Sequence, residues 1–377
     1  MKSLLPEIAA RAGRLVCFCP PGMPVEGAQA RGPLLLSAGF ALSVLAQTLT
    51  LGILPLTGLL MAPRAELAGL PYMAMLIGAA VATFPASFLL DAFGRRASFA
   101  LGASHGIAGG LVLAWALMAH AFIPFCLGAF WLGVAQGFGL FYRHEAAMGG
   151  GVMGRAMLVG VVFGSGALAG LVGPGFLLVG QKLMPATPFV PAALAAAFVQ
   201  VAVLALAMFW GPHEGGLLVE KHVPRVFSWR EALAPTIIAA TAWFGMTALM
   251  LASPAAMISC GLSAAGVTGL LAWHVVAMYA PGFGMGVLVT FFGQAGTALA
   301  GLALVIAARL VLSQASDAAG FGFGLMMLAV GWCLATAAAT IWMQKLAPPR
   351  WVLAAHDACL LLAALAGAFA APALSGF

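Results

Sequence analysis

Charged residues are scarce in this chain. Asp, Glu, Lys and Arg together make up 7% of the 377 residues, whereas apolar residues make up 63%. Soluble domains carry about 25% charged residues and about 45–50% apolar ones. A soluble fold of this length cannot bury so much apolar surface, so the bilayer is the predicted solvent for most of the chain.

The apolar stretches also lack the alternating polarity of membrane β-strands, because their apolar runs are continuous. Continuous apolar windows of about 20 residues predict membrane-spanning helices, since lipid offers no partner to an open backbone N–H group. The predicted fold class is therefore all-α, a polytopic membrane protein with eleven spans. These lie near residues 34–55, 69–91, 97–119, 121–142, 155–179, 188–210, 235–258, 265–290, 295–313, 320–343 and 351–374.

Three further absences limit the classes of protein to which the chain can belong. The first residues lack the apolar segment of a secretory signal, so 1–32 is predicted to be a cytoplasmic N-terminal extension. The six cysteines do not form a disulfide framework, because four of them lie in or at the ends of predicted helices. No nucleophile–base pair or cofactor loop is present, so we predict neither an enzyme nor a permanently bound cofactor.

The few basic residues are distributed unevenly between the predicted loops. If the N-terminus is cytoplasmic, thirteen Lys and Arg residues lie on the cytoplasmic side and three, Arg64, Lys182 and Arg309, lie outside. This distribution follows the positive-inside rule and predicts a multi-pass protein of a bacterial inner membrane with its N-terminus in the cytoplasm. The net charge of +6 is explained by this topology, so the expected partner is the lipid bilayer and not nucleic acid.

One sizeable polar loop divides the predicted spans into six and five. We predict an N-terminal six-helix bundle at 33–211, a cytoplasmic central loop at 212–233 and a C-terminal five-helix bundle at 234–377. Two helical bundles that rock about a site near the bilayer midplane are the plan of the major facilitator transporters.

A short motif between the second and third spans supports the same plan. The run Ser87-Phe-Leu-Leu-Asp91-Ala-Phe-Gly94-Arg95-Arg96 resembles the major facilitator signature G-x-L-x-D-x-x-G-R-K/R. As a gating motif, Gly94 would permit a tight turn, and Asp91 would pair with a cation or a helix N-terminus in one conformer only. The alternative is that Asp91, Arg95 and Arg96 only mark the point where a helix leaves the membrane.

Sulfur and imidazole side chains occur at helical spacing in the seventh and eighth spans. Met246 and Met250 share one helix face, and His274 and Met278 share another. Thioether and imidazole groups suit Cu(I), because they are soft and uncharged when they bind. These four residues are the predicted metal site, with Cys260 as an entry ligand.

Packing offers a second interpretation of these residues. The chain has 19 methionines, so chance supplies about one Met-x-x-x-Met pair, and methionine is an ordinary filler of apolar gaps. Cys260 would then be a small apolar residue. His274 is harder to explain by packing alone, because an ionisable residue inside a membrane span is a functional candidate by default.

The residues around these pairs carry a further resemblance. The strings at 249–257 and 273–281, with Cys260-Gly261 between them, resemble the CcoA/RfnT branch of the major facilitator superfamily. The resemblance implies two substrate classes, because CcoA-type members import copper for cytochrome oxidase assembly and RfnT-type members carry riboflavin. Family members have twelve spans, so the resemblance also implies that a twelfth helix is absent here.

A second group of soft ligands lies on the predicted cytoplasmic side. His144 and Met148 repeat the His-x-x-x-Met spacing, and Met153 and Met157 follow. Two thiols, Cys17 and Cys19, lie in the N-terminal extension. Together they could form an exit relay that passes copper to a cytoplasmic chaperone. Chance spacing and incidental tail cysteines are the alternative interpretation.

Three functions remain open on the sequence. The first is a secondary transporter that imports copper, with copper as the transported substrate. The second keeps the fold but carries riboflavin or another flat organic molecule, stacked on Trp243, Phe244, Trp273 or Tyr279. The third is a membrane assembly subunit that transports nothing.

Overall fold

Helices account for almost all of the described chain. The computed structural model describes residues 26–148, 152–187, 189–211 and 227–374. The helices are α1 (Glu26–Leu51), α2 (Leu54–Met61), α3 (Leu70–Met118), α4 (Phe122–Gly139), α5 (Phe141–Ala146), α6 (Val152–Ser165), α7 (Ala167–Leu183), α8 (Val190–Ala207), α9 (Trp229–Ser259), α10 (Ala264–Tyr279), α11 (Met285–Leu312), α12 (Ala318–Lys345) and α13 (Arg350–Leu374).

Two helices contain a break at a glycine. Helix α3 has 49 residues, long enough to cross the membrane twice, and is interrupted at Gly94, where φ is 78° and ψ is −177°. Helix α11 is interrupted in the same way at Gly293, where φ is 67° and ψ is 171°. This conformation is open almost only to glycine. Each glycine therefore forms the turn between two crossings, as the motif around Gly94 predicts.

Nine helical stretches in the described ranges are long and apolar enough to cross a membrane. Two of these stretches, 65–118 and 265–312, contain the glycine breaks, and dividing each at its break gives eleven crossing segments. No strand occurs in the part of the chain that the structure describes. The all-α membrane fold class is therefore confirmed, while the division into bundles of six and five crossings stays a prediction.

Both predicted polar segments overlap helices. Helix α1 begins at Glu26, inside the predicted N-terminal extension, and α9 begins at Trp229, inside the predicted central loop. Helices continue past the apolar window because their backbone hydrogen bonds do not depend on lipid. The rest of both segments, including Cys17 and Cys19, lies outside the described residues.

The N-terminal half (α1–α8) and the C-terminal half (α9–α13) meet along two contacts. In the first, α3 packs against α13. In the second, α7 packs against α10, and α6 packs against the 3-10 turn Ala280–Gly284, α11 and α12. At the second contact the backbones lie close together, because a Cβ atom at Gly160 would meet the carbonyl group of Gly282. Small residues allow this approach between membrane helices.

We expect Gly94→Ala to destabilise the protein by about 1–3 kcal/mol through backbone strain alone. No atom lies within 4 Å of the position that the new Cβ atom would occupy, so a steric clash does not contribute. The measurement is the thermal unfolding temperature in detergent. Gly154→Ala is the matched control, because Gly154 has equal space but lies inside α6. Equal unfolding temperatures for the two variants would contradict the assignment of a strained turn.

Candidate functional site

Five aromatic side chains from both halves meet in the interior of the protein. They come from five helices and form the central aromatic cluster: Phe40 (α1), Phe163 (α6), Trp243 (α9), Tyr279 (α10) and Trp332 (α12). All five are buried. Because these helices belong to both halves, the complete cluster forms only when the two halves are packed together.

Trp332 lies between its neighbours from both halves. Its ring centroid lies 5.3 Å from that of Trp243, 5.6 Å from that of Phe163 and 5.7 Å from that of Tyr279. These separations fall in the range of favourable offset and edge-to-face aromatic pairs. The indole N–H of Trp243 donates a hydrogen bond to Thr336 Oγ1 at 3.0 Å, which fixes the orientation of its ring.

Three of the five members lie near the middle of their helices, whereas Phe163 lies two residues before the end of α6 and Tyr279 is the last residue of α10. Trp243 and Trp332 occupy central positions of α9 and α12. In transporters built from two such halves, substrate sites lie near the bilayer midplane, at the interface between the repeats. The rings contact one another in this conformation, so a flat, apolar ring could stack on them once the two halves move apart.

Only two of the four predicted stacking residues belong to this cluster. Trp243 and Tyr279 are buried in it, whereas Trp273 is 62% exposed and Phe244 is 38% exposed, and neither is among the ring contacts of the cluster. Neighbours in sequence point to different faces of a helix, so adjacent aromatics cannot all face one site. Phe40 and Phe163 were not identified from the sequence, because nothing distinguishes them from the other phenylalanines among the 25 in the chain.

A layer of ion pairs joins the two halves at the end predicted to be cytoplasmic. We call it the ion-pair layer, and its members are Asp91, Arg95, Arg143, His144, Glu145, Arg350 and Asp357. Its N-terminal members lie on α3 and α5, and its C-terminal members lie on the first two turns of α13.

Arg350 lies at the centre of the outer part of this layer. Its guanidinium donates to Asp91 Oδ1 at 2.6 Å and to Glu145 Oε1 at 2.8 Å, and Arg95 Nε donates to Glu145 Oε2 at 2.6 Å. Arg350 is also the first residue of α13. Asp91 of the turn motif therefore pairs with a cation that belongs to the other half of the protein.

The inner part of the layer is completely buried. Arg143 donates to Asp357 Oδ1, and His144 Nε2 donates to Asp357 Oδ2 at 3.0 Å. On the neighbouring residue of α13, His356 Nδ1 lies 2.8 Å from the hydroxyl oxygen of Thr236. The His356 contact lies within the C-terminal half, whereas the two bonds to Asp357 cross from one half to the other and close this end of the protein in the conformation described.

The four predicted metal ligands lie on two helices that make few contacts with each other. Helix α9, with Met246 and Met250, packs mainly against α13, α12 and α11, whereas α10, with His274 and Met278, packs mainly against α12 and α7. His274 is buried, and its Nδ1–H donates to the Leu325 carbonyl group on α12 at 2.8 Å. Its Nε2 atom is buried without a partner.

The other predicted soft ligands are dispersed. Cys260 is exposed at the C-terminus of α9, about 15 Å along the axis from Met250 at 1.5 Å per residue. Met148 accepts a hydrogen bond from Arg350, Met153 accepts one from Thr290, and Met157 is exposed. Among the residues described, no three His, Cys, Asp or Glu side chains form a cluster that could hold a metal ion.

Solved structures show which fold this chain has. The chain is similar to the human organic anion transporter MFSD10 (TETRAN), with a TM-score of 0.70 and 15% identity over 92% of this chain and 93% of the other. It is also similar to the Escherichia coli fucose:proton symporter FucP, with a TM-score of 0.63 and 14% identity over 92% and 91% of the two chains. The chain has the fold of these major facilitator proteins, as the sequence predicted.

The chain is also similar in sequence to a curated protein. The chain is 28% identical, over 319 residues, to the riboflavin transporter RfnT of Brucella anthropi, an alignment that covers 80% of this chain and 77% of the relative. This similarity fits the riboflavin-transporter branch named from the residues at 249–281. No protein-family profile matches the chain. These relatives are described as transporters, in agreement with the prediction that the chain is not an enzyme.

Proposed function

We propose that this protein transports riboflavin, or a closely similar flat and uncharged molecule, into the cell across a bacterial plasma membrane. The observation that carries the proposal is the central aromatic cluster, in which buried rings from both halves meet. The 28% identity to a riboflavin transporter supports the same substrate class.

The composition of the cluster suits an uncharged aromatic ring system. Stacking and edge-to-face contacts contribute about 0.5–1.5 kcal/mol per pair beyond apolar burial. The cluster contains no charged side chain that would need a counterion on the substrate. Since its members come from both halves, a rocking motion of the halves would separate the rings and open a path for release.

We expect Trp332→Leu to weaken riboflavin binding about tenfold, equivalent to about 1.4 kcal/mol, because Trp332 contacts aromatic rings from both halves. Trp273→Leu is the matched control, since its ring is exposed and lies outside the cluster. The measurements are quenching of flavin fluorescence by the purified protein and uptake of labelled riboflavin into proteoliposomes. If wild-type protein takes up no riboflavin, the proposed substrate is wrong.

Copper is the second candidate substrate, and one observation favours it. Histidines that bind metals usually donate their other ring N–H to a carbonyl or carboxylate group, which leaves the free nitrogen for the metal. His274 has this arrangement, with Nδ1 bonded to Leu325 and Nε2 buried without a partner. Copper uptake by the same proteoliposomes, lost in His274→Ala and unaccompanied by riboflavin uptake, would favour copper.

A further inference from the structure

A small polar cavity lies inside the N-terminal half. Its polar lining consists of Ser43, Gln47 and Thr50 of α1, Gln136 of α4 and Gln200 of α8, and apolar side chains complete its wall. The lining contains three carboxamides and two hydroxyl groups but no charged side chain. Such a concentration of polar groups is costly in the middle of a membrane bundle unless those groups bind something.

The three carboxamides have no partners within the described chain. Gln136 Oε1 is buried without a hydrogen bond, and neither Gln47 nor Gln200 bonds to another described residue. Gln200 is only 5% exposed. Buried side-chain amides almost always bond to protein, to ordered water or to a ligand, because an unpaired amide costs about 1–3 kcal/mol. These groups are therefore free to bond a ligand.

The hydroxyl groups of the cavity are available as acceptors. Ser43 Oγ donates to the Gly39 carbonyl group at 2.8 Å, and Thr50 Oγ1 donates to the Gln47 carbonyl group at 3.0 Å. Each hydroxyl proton is thus used within α1, which leaves the oxygen lone pairs facing the cavity. Together with carboxamides that both donate and accept, the cavity matches a neutral ligand group with the same double capacity.

The volume of the cavity limits the size of the ligand group that it can hold. Its volume is about 10 Å³, which is room for a single group the size of a water molecule. An aromatic ring does not fit in this space, whereas a hydroxyl group does. A hydroxyl both donates and accepts, so it suits the carboxamide lining in chemistry as well as in size.

Helix α1 connects this cavity with the central aromatic cluster. Phe40, Ser43 and Gln47 are spaced three and four residues apart, so they lie on one face of the helix. Phe40 belongs to the aromatic cluster, and the other two line the cavity. A molecule that combines a flat ring with a hydroxylated chain could therefore contact both sites, since Phe40 and Gln47 are about 10 Å apart along the axis.

We propose that Gln47, Gln136 and Gln200 form a polar subsite that binds one hydroxyl group of the substrate's chain while the aromatic cluster contacts its ring. This inference rests on the proposed function, because the substrate must carry both parts. All residues of the subsite belong to the N-terminal half, so this half would contact the chain of the substrate. It also predicts selectivity for a flavin with its polyol chain over the same ring without it.

The test compares binding of riboflavin with binding of lumiflavin, which has the same ring system but no ribityl chain. We expect Gln136→Leu and Gln47→Leu each to weaken riboflavin binding about tenfold and to leave lumiflavin binding within about twofold of wild type. Fluorescence quenching of the purified full-length protein measures both. Gln181→Leu is the matched control, because its side chain is exposed near the end of α7.

The outcomes separate the subsite from the proposed function. Retained lumiflavin binding shows that a variant is folded, so a selective loss of riboflavin binding supports the subsite. Equal weakening of both flavins would assign the carboxamides to the ring, and unchanged riboflavin binding in both variants would remove them from recognition. Either result overturns the inference. Wild-type protein that binds neither flavin would instead refute riboflavin as the substrate.

Discussion

Asp357→Asn is expected to destabilise the closed conformation by about 3–5 kcal/mol, the largest effect of a single substitution that the structure predicts. Arg143 and Asp357 form an ion pair whose side chains are 1% and 0% exposed. With the carboxylate removed, the Arg143 guanidinium would stay buried without a counterion. An unpaired buried charge costs more than the pair contributed, so the two halves should separate at this end and hydrate Arg143.

Hydrogen–deuterium exchange of α5 and of the first turns of α13 measures this opening, because their amides lie at the contact that would separate. We expect faster exchange in these segments than in α8, whose amides serve as an internal reference. The double variant Arg143→Met/Asp357→Leu should recover most of the loss, since two apolar groups leave no buried charge. If the double variant exchanges as fast as Asp357→Asn, loss of the buried ion pair is not the cause of the faster exchange.

Glu145→Gln is expected to destabilise the closed conformation by about 3 kcal/mol, whereas Asp91→Asn should change its stability by at most about 1 kcal/mol. Both substitutions replace one carboxylate with an amide next to Arg350. They differ in burial, since the Glu145 side chain is 1% exposed and the Asp91 side chain is 58% exposed. Water and salt screen the exposed pair but not the buried one.

Exchange rates at low and at high salt distinguish these two carboxylates. The effect of Asp91→Asn should shrink as ionic strength rises, because its contact with Arg350 is exposed. The effect of Glu145→Gln should persist, because Glu145 holds both Arg95 and Arg350 in a buried position. Equal effects of the two substitutions at both salt concentrations would mean that burial does not control the strength of this layer.

Closure at this end has a direct consequence for transport. Alternating access requires that the closed and open conformations differ by only a few kcal/mol, so a layer of several ion pairs must break and re-form in each cycle. The two equivalent turns, at Gly94 in the N-terminal half and at Gly293 in the C-terminal half, make different contacts. Asp91 precedes Gly94 by three residues and pairs with Arg350, whereas Thr290 precedes Gly293 by three residues and donates to Met153 Sδ at 3.3 Å. The ionic contact is therefore the stronger of the two.

Much of the fold could be predicted because its signals are local. Each span is a continuous apolar segment, and lipid requires such a segment to be helical whatever its neighbours are. Gly94 was predicted to form a turn for a reason contained in the residue itself, and the structure places it at positive φ. The pseudo-equivalent turn at Gly293 has the same backbone conformation although its sequence carries no charge.

The sites were harder to predict because their members are distant in sequence. Arg143 and Asp357 are separated by 214 positions, and the structure pairs them. The Met-x-x-x-Met and His-x-x-x-Met spacings place each pair on one face of its own helix, but spacing within a helix does not determine which neighbour that face meets. The metal site therefore stays a prediction, with α9 and α10 packed mainly against other helices.

The sequence by itself determined the solvent of this protein, its helical class and the position of its turns, since apolar content and glycine conformation act over a few residues. Only the tertiary structure decided which side chains meet. It brought together the aromatic rings from five helices, the ion pairs between the halves and the carboxamides of the N-terminal half. Every face of a membrane helix is apolar, so hydropathy cannot distinguish a face that meets lipid from one that meets another helix.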